Sequence, residues 1–127
     1  MKTPDDRRYT RDHSWVKKTN SVLVVGVTDY AQDALGEVVH VQLPKVGDKF
    51  VGGASCCEVE SSKSVSDVYV PLSGTITRVN EILESQPGFI NSDPYENGWI
   101  FEMTLDANAT FESLFDASTY ENFVEGR

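Results

Sequence analysis

One lysine in the middle of the chain stands in a setting that suits chemical modification. Lys63 lies in the stretch Glu58-Val-Glu-Ser-Ser-Lys-Ser-Val-Ser-Asp-Val-Tyr-Val-Pro-Leu-Ser-Gly74, between serines and close to three acids. An exposed lysine is almost wholly protonated at neutral pH and is therefore a poor nucleophile. Direct Schiff-base catalysis is disfavoured for this reason. Acylation of the amine by a second enzyme remains possible, because that enzyme can supply the deprotonation.

A β hairpin is the element predicted to carry Lys63. Ser62 and Lys63 would be the central turn residues, with Ser61 opposite Ser64, Val59 opposite Ser66, Cys57 opposite Val68 and Ser55 opposite Val70. Alternation along the strands then divides the side chains between two faces. The core face receives Cys57, Val59, Val68 and Val70, and the outer face receives Cys56, Glu58, Glu60, Val65, Asp67 and Tyr69. The register presents Lys63 to solvent at the tip, although spacing alone also allows a plain polar turn.

Short strand-like segments dominate the first two thirds of the chain. Strands are predicted over residues 14–18, 22–27, 38–43, 54–60, 66–70, 75–79 and 99–105. A short helix over residues 28–35 has Thr28 as its N-cap and Gly36 as its stop, and a helical turn is expected over residues 80–84. Apolar residues three and four apart predict amphipathic helices over residues 110–115 and 118–124. The pattern indicates a mainly β fold, a small sandwich or flattened barrel with short helices, two of them at the C-terminus.

The length of 127 residues and the absence of repeats and linkers predict a single domain over residues 1–127, with residues 1–8 as a loose N-terminal segment. Twenty acids against eleven lysines and arginines give a net charge of -9, which disfavours nucleic acid and anionic membranes as partners. The acidic surface would either steer basic partner proteins or serve solubility alone. Without an apolar run that could cross a bilayer or act as a secretory signal, we expect a soluble intracellular protein.

Other residues with reactive side chains give weaker signals. Cys56 and Cys57 are adjacent, so a disulfide between them is geometrically awkward, and a reducing compartment fits best. Cys56 as a catalytic nucleophile is the enzyme-class alternative, but no cationic neighbour is evident that would activate it. His13 and His40 have no cysteine or acid at metal-ligand spacing, so no metal site is expected.

Several motifs together resemble the glycine cleavage system H protein family. The hairpin contributes Glu60-Ser-Ser-Lys63, Ser66-Asp-Val-Tyr69 and Pro71-Leu-Ser-Gly74; the rest of the chain contributes His13-Ser-Trp15, Gly26-Val-Thr-Asp-Tyr-Ala-Gln32, Leu35-Gly-Glu-Val-Val39 and Asn91-Ser-Asp-Pro-Tyr-Glu-Asn-Gly-Trp99. The similarity is colinear from Tyr9 to the C-terminal helix. It implies a lipoyl-domain-like β sandwich or flattened barrel of two antiparallel sheets.

The resemblance also implies a non-catalytic carrier, with lipoic acid joined to Lys63 through an amide. The implied partners are a pyridoxal-phosphate glycine decarboxylase that loads an aminomethyl group, an aminomethyltransferase that passes the carbon to tetrahydrofolate, dihydrolipoyl dehydrogenase that reoxidises the arm, and a lipoate ligase or transferase. The compartment would be the mitochondrial matrix in a eukaryote or the cytoplasm in a bacterium. Tethering would keep a labile intermediate from diffusing away.

One position departs from the family pattern. Members commonly read His-Glu-Trp where this chain has His13-Ser-Trp15, and that glutamate is associated with holding the amine of the loaded arm. Ser14 cannot supply the charge. Asp12 would share the face of Ser14 on a strand, so we predict that Asp12 replaces the missing carboxylate, with Asp67 as the second candidate.

Three related carriers are the functional alternatives. An H-like protein that serves lipoate relay or signalling is kept open by the missing glutamate. A biotinyl carrier would normally place its lysine between methionines, whereas serines flank Lys63. A lipoyl domain of a 2-oxoacid dehydrogenase would be shorter and part of a longer chain. The loop over residues 91–99 is explained by neither of the last two.

Overall fold

The structure is a computed structural model that describes residues 1–126, and short β strands make up most of its regular elements. The strands are β1 (Arg8–Tyr9), β2 (Ser14–Thr19), β3 (Val22–Val27), β4 (Val38–Gln42), β5 (Lys49–Phe50), β6 (Ser55–Ser61), β7 (Val65–Tyr69), β8 (Gly74–Val79) and β9 (Phe101–Leu105). The helices are α1 (Asp29–Leu35), α2 (Ile82–Ser85), α3 (Phe89–Ser92) and α4 (Ala117–Val124), with a 3-10 turn at Phe111–Ser113.

The strands form two antiparallel sheets that share one hydrophobic core. The larger sheet has the order β1-β2-β3-β9-β8-β5, and the smaller sheet has the order β4-β6-β7. Fully buried core side chains come from both sheets and include Val16, Leu23, Val25, Val59, Ile76, Phe101 and Met103. The prediction of a mainly β fold with two antiparallel sheets is confirmed.

A second, aromatic cluster fixes the two ends of the chain. Tyr9 and Tyr120 stack with their ring centroids 4.8 Å apart, and Trp15 and Tyr95 complete the buried group. Arg7 is only 6% exposed, because its guanidinium lies over the Trp15 ring at 4.8 Å and donates to the Tyr95 carbonyl at 3.0 Å. The segment over residues 1–8, expected to be loose, therefore contains a buried anchor.

The C-terminal region differs from the prediction of two helices. Residues 118–124 do lie in α4, but the segment predicted as a helix over residues 110–115 forms only the 3-10 turn. The reason lies in Phe115, whose N–H and C=O both pair with the backbone of Tyr9 at 2.9 Å. This bridge holds Phe115 in an extended conformation, so the helix cannot continue through it.

Candidate functional site

The hairpin formed by β6 and β7 carries Lys63 at its turn. The backbone N–H of Ser61 donates to the carbonyl of Ser64 at 2.8 Å, which leaves Ser62 and Lys63 as the central turn residues, as predicted. The buried hydroxyl oxygen of Ser61 accepts from the backbone N–H of Lys63 at 3.3 Å and from that of Ser64 at 3.1 Å. Ser61 thus pins the turn from inside, a role that serine commonly plays and that sequence reasoning missed.

The register of the hairpin agrees with the prediction near the turn and departs from it at the far end. Val59 pairs with Ser66 and Cys57 with Val68, but Ser55 pairs with Tyr69 rather than with Val70. The register shifts between Ser55 and Cys57, as in a β-bulge, where one strand has an extra residue. The predicted core-face residues Cys57, Val59, Val68 and Val70 are nevertheless all buried.

The side chain of Lys63 is exposed, and its stem rests against the loop that follows α1. A β carbon placed on Gly36 would lie 3.0 Å from Lys63 Cε and 3.5 Å from Nζ. Among the ion pairs that the structure describes within residues 1–126, none involves Lys63. The amine is therefore available to a modifying enzyme, although its stem touches the scaffold.

Hydrogen bonds hold this loop to the hairpin turn on one side and to Asn91 on the other. The N–H of Ser62 donates to the carbonyl of Glu37 at 3.0 Å. Behind the loop, the Asn91 amide donates to the Gly36 carbonyl at 2.8 Å and accepts from the Val38 N–H at 2.8 Å. The turn that carries Lys63 is thereby held in a fixed place relative to α1.

A cleft of about 290 Å³ lies between the hairpin, α1 and the start of β2. Its apolar lining includes Val27, Ala31, Leu35 and Val68. The three predicted docking residues Asp12, Ser14 and Asp67 all lie on its walls, together with Ser64 and Ser66. The cleft therefore joins an apolar surface to carboxylates, directly beside the turn of Lys63.

The route by which Asp12 reaches the cleft differs from the prediction. β2 begins only at Ser14, and His13 adopts a left-handed backbone conformation with φ 66°. Asp12 and Ser14 therefore do not share a strand face, and the argument from strand alternation is wrong. A turn brings both residues to the cleft, where Ser14 is almost fully buried.

The two candidate carboxylates differ in how far they are already engaged. The Asp67 carboxylate accepts a hydrogen bond from the Ser55 hydroxyl at 3.1 Å. No side-chain hydrogen bond or ion pair to the Asp12 carboxylate occurs in the part of the chain that the structure describes. Asp12 is consequently the freer of the two to bind a cation.

His13 forms part of the cleft wall and links it to α4. Its Nδ1 atom lies 2.8 Å from the Tyr120 hydroxyl, which in turn lies 2.9 Å from the Thr28 hydroxyl. Thr28 accepts from the Ala31 N–H at 3.1 Å and so caps α1, as predicted. Burial lowers the pKa of His13 and raises the pKa of Tyr120 to about 12. No sequence signal joined these residues, because His13 and Tyr120 lie far apart along the chain.

The remaining reactive residues do not assemble a second site. Cys57 is buried, and hydrogen bonding with Cys56 together with burial raises the pKa of its thiol. Within residues 1–126, no group of three or more histidine, cysteine or acidic side chains is arranged to hold a metal ion. No helix in that range is long and apolar enough to span a membrane.

Comparisons with known proteins agree on one family. The family model described as "Glycine cleavage H-protein" matches residues 7–127. The chain is 49% identical over 119 residues to the glycine cleavage system H protein of Micrococcus luteus, with 92% of this chain and 93% of the relative covered. It is 46% identical over 125 residues to the protein of that name from Anaeromyxobacter sp. strain K, with 98% of each covered.

A solved structure gives the same result for the fold. The crystal structure of a glycine cleavage system H protein from Mycobacterium marinum superimposes with a TM-score of 0.87 at 41% identity. The match covers 98% of this chain and 99% of that chain.

Proposed function

The chain belongs to the glycine cleavage H-protein family, and from this premise we propose that Lys63 is the residue that carries lipoic acid in amide linkage. The family establishes the broader role: the protein is a lipoyl carrier of the glycine cleavage system and is not itself an enzyme. The observation that carries the assignment is the exposed Lys63 amine at the turn of a hairpin that is hydrogen-bonded to the loop after α1.

The residues around Lys63 suit such a group. Small residues, Ser62 and Ser64, flank Lys63 in the turn, and a cleft with an apolar wall and two carboxylates lies next to the turn. When attached, lipoic acid supplies a disulfide that can be reduced and can carry the aminomethyl group of glycine. The apolar side chains of Val27, Ala31 and Leu35 would exclude water from an aliphatic arm, while a carboxylate would attract an amine at its end.

We assign the amine-binding role to Asp12, with Asp67 in support and Ser14 as a buried part of the wall. Asp12 lines the cleft, and Asp67 already accepts a hydrogen bond from Ser55. A carboxylate two positions before the usual glutamate would supply the charge that Ser14 lacks. This arrangement favours glycine breakdown over lipoate relay. A carrier that only passes on lipoate never holds an aminomethyl group, so it needs no carboxylate to bind an amine.

The partners proposed for the carrier are those of the glycine cleavage system. They are the pyridoxal-phosphate glycine decarboxylase, the tetrahydrofolate-dependent aminomethyltransferase and dihydrolipoyl dehydrogenase, with a lipoate ligase or transferase to attach the cofactor. The net charge of -9 suits partners whose surfaces are basic around the active-site mouth.

The attachment site is tested by mass spectrometry after incubation of the purified protein with lipoate, ATP and a lipoate ligase. We expect one lipoyl increment, mapped to Lys63 by peptide sequencing. Lys63→Arg should remain unmodified, and Lys45→Arg, which changes another exposed lysine, should be modified like the wild type. An increment on any other residue, or modification of Lys63→Arg, would overturn the assignment.

Glycine breakdown and lipoate relay are separated by reconstitution of the lipoylated protein with a glycine decarboxylase. Glycine-dependent release of carbon dioxide is the result expected for a glycine cleavage carrier. A protein that is lipoylated at Lys63, passes lipoate to other carriers and supports no glycine decarboxylation would be a relay protein.

A further inference from the structure

Gly36 lies beneath the side chain of Lys63, and its missing side chain leaves the space that the lysine stem occupies. A β carbon at this position would lie 3.0 Å from Lys63 Cε, 3.5 Å from Nζ and 3.8 Å from Cδ. The outer half of the lysine stem therefore follows the surface of Gly36. Any larger residue would push the stem away from this surface, because carbon atoms pack no closer than roughly 3.5 Å.

The backbone of Gly36 is fixed as well as bare. Its φ of 83° and ψ of -163° belong to a region that residues with a side chain rarely adopt. Its carbonyl is held by the Asn91 amide at 2.8 Å. The next residue, Glu37, accepts from the Ser62 N–H at 3.0 Å, so the hairpin turn and Gly36 keep a constant separation.

One chain neighbour of Gly36 and one of Lys63 belong to the cleft wall. Leu35, which precedes Gly36, lines the cleft, and so does Ser64, which follows Lys63. A lysine stem that lies against Gly36 is therefore next to the end of α1 and one residue away, on each segment, from the cleft wall. Acylation would remove the charge of the amine and with it the main reason for the stem to seek bulk water.

We propose that Gly36 is a positioning residue for the lysine arm, and that its bare surface directs the Lys63 stem toward the cleft. The proposal rests on the assignment of Lys63 as the attachment site. It adds that the departure direction of the arm is set by the loop after α1 and not by the hairpin alone. Preorganisation of this kind raises the fraction of arms that occupy the cleft without any new contact inside it.

A first test uses the unmodified wild-type protein and needs no partner. With lysine and glycine isotopically labelled, we expect nuclear Overhauser effects between the ε protons of Lys63 and the α protons of Gly36. The same contact should persist after lipoylation. Its absence from both forms would overturn the proposal, even if every variant failed to fold.

The second test compares Gly36→Ala with a matched control. Gly47→Ala introduces similar backbone strain, since Gly47 has φ 95°, but no atom lies within 4 Å of the added methyl group. Both proteins are lipoylated, loaded with the aminomethyl group by the decarboxylase, and separated from it. We expect the loaded group to be released about threefold faster from Gly36→Ala and at the wild-type rate from Gly47→Ala, because release proceeds from arms outside the cleft.

The two proposals fail in different ways. If Lys63 of the wild type takes up no lipoate, the assignment of the attachment site is wrong. If Lys63 is lipoylated and Gly36→Ala, folded by circular dichroism, releases its load at the rate of Gly47→Ala, the positioning role of Gly36 is wrong while the attachment site stands.

Discussion

The backbone N–H of Ser62 donates to the carbonyl of Glu37 at 3.0 Å, and this bond joins the turn of the lysine hairpin to the loop after α1. The loop is held from its other side by Asn91, which lies more than fifty residues further along the chain and bonds both Gly36 and Val38. The position of Lys63 relative to the cleft is thus determined by α1 and by the segment around α3, in addition to the hairpin itself.

Replacing Asn91 with alanine should destabilise the protein and loosen the loop. The change leaves the Val38 N–H and the Gly36 carbonyl without their partner, each at 2.8 Å in the structure. We expect the free energy of unfolding to fall by about 2 kcal/mol, since unsatisfied backbone groups are costly when water reaches them poorly. Urea denaturation measures the change.

Asn97→Ala is the matched control for that experiment. Asn97 is exposed, and its contacts in the structure use its backbone N–H and carbonyl rather than its side chain. Its substitution should leave the urea midpoint nearly unchanged. Equal effects of the two variants would show that the Asn91 side chain does not support the loop.

Thr28 should matter both for the cap of α1 and for the contact with α4. Its hydroxyl accepts from the Ala31 N–H at 3.1 Å and lies 2.9 Å from the Tyr120 hydroxyl. Thr28→Ala should lower the free energy of unfolding by about 1–2 kcal/mol, whereas Thr28→Ser, which keeps the hydroxyl, should retain most of the stability. Thermal or urea unfolding of the two variants provides the comparison. If Thr28→Ser loses as much stability as Thr28→Ala, buried methyl packing and not the hydroxyl accounts for the role of Thr28.

The stability of the protein should depend on pH through His13. Burial lowers the pKa of His13, and the neighbouring Asp12 carboxylate only partly opposes this shift. The folded state therefore binds a proton less tightly than the unfolded chain, in which a histidine has a pKa of about 6.5. The contribution of His13 to stability is fully present above that pH and is lost as the pH falls through it toward the lower pKa of the folded state.

The measurement is the midpoint of urea denaturation at a series of pH values from about 7.5 to about 5, a range that brackets the pKa of an unperturbed histidine. His13→Asn is the control, because asparagine tolerates the left-handed backbone at this position and does not titrate. We expect the midpoint of the wild type to fall more steeply with decreasing pH than that of His13→Asn. Parallel curves would mean that His13 titrates alike in the folded and unfolded states. The acids Asp6, Asp29 and Asp116, whose pKa values are lowered, lose their contribution only at still lower pH.

Local patterns predicted the elements of the fold better than the contacts between them. Alternation placed Val59 and Val68 in the core, and the cap signal of Thr28 located the start of α1. The bridge between Tyr9 and Phe115, which ends the helical pattern before α4, joins distant parts of the chain and leaves no trace in local spacing. The buried Arg7 was missed for the same reason, because its partners Trp15 and Tyr95 are aromatic rings from two other segments.

The site shows the same division. The turn that holds Lys63 could be predicted from the serines and the alternation around it, and the structure agrees with the register at the turn. The choice of Lys63 as the attachment site came from the resemblance to the family, because spacing alone also allows a plain polar turn. The contact of Lys63 with Gly36 depends on how α1 packs beside the hairpin, which no local pattern encodes. Asp12 reaches the cleft because His13 has a left-handed backbone conformation, which no pattern in the sequence predicted.

Asp12 should protect the loaded arm, and Asp12→Asn should expose this role. A carboxylate on the cleft wall attracts a protonated amine, so we expect Asp12→Asn to release the bound aminomethyl group about threefold faster than the wild type, with the difference shrinking at high salt. Release is followed with the isolated, loaded protein. Asp106→Asn removes one exposed carboxylate outside the cleft and serves as the control for net charge. Equal release rates for the two variants would transfer the role to Asp67 or remove it.

Alkylation of the native protein should distinguish the two cysteines and test whether either thiol takes part in function. Cys57 is 5% exposed and the pKa of its thiol is raised, so iodoacetamide at neutral pH should leave it intact until the protein is unfolded. Cys56, which is half-buried and packs against the edge of the core, should react slowly and alone. Peptide mass spectrometry identifies the adduct, and Cys56→Ser should take up none.

Because the carrier chemistry is assigned to Lys63, the protein alkylated at Cys56 should still accept lipoate and support glycine decarboxylation. Loss of both properties on modification of Cys56, with the fold intact, would mean that this thiol takes part in the function of the protein.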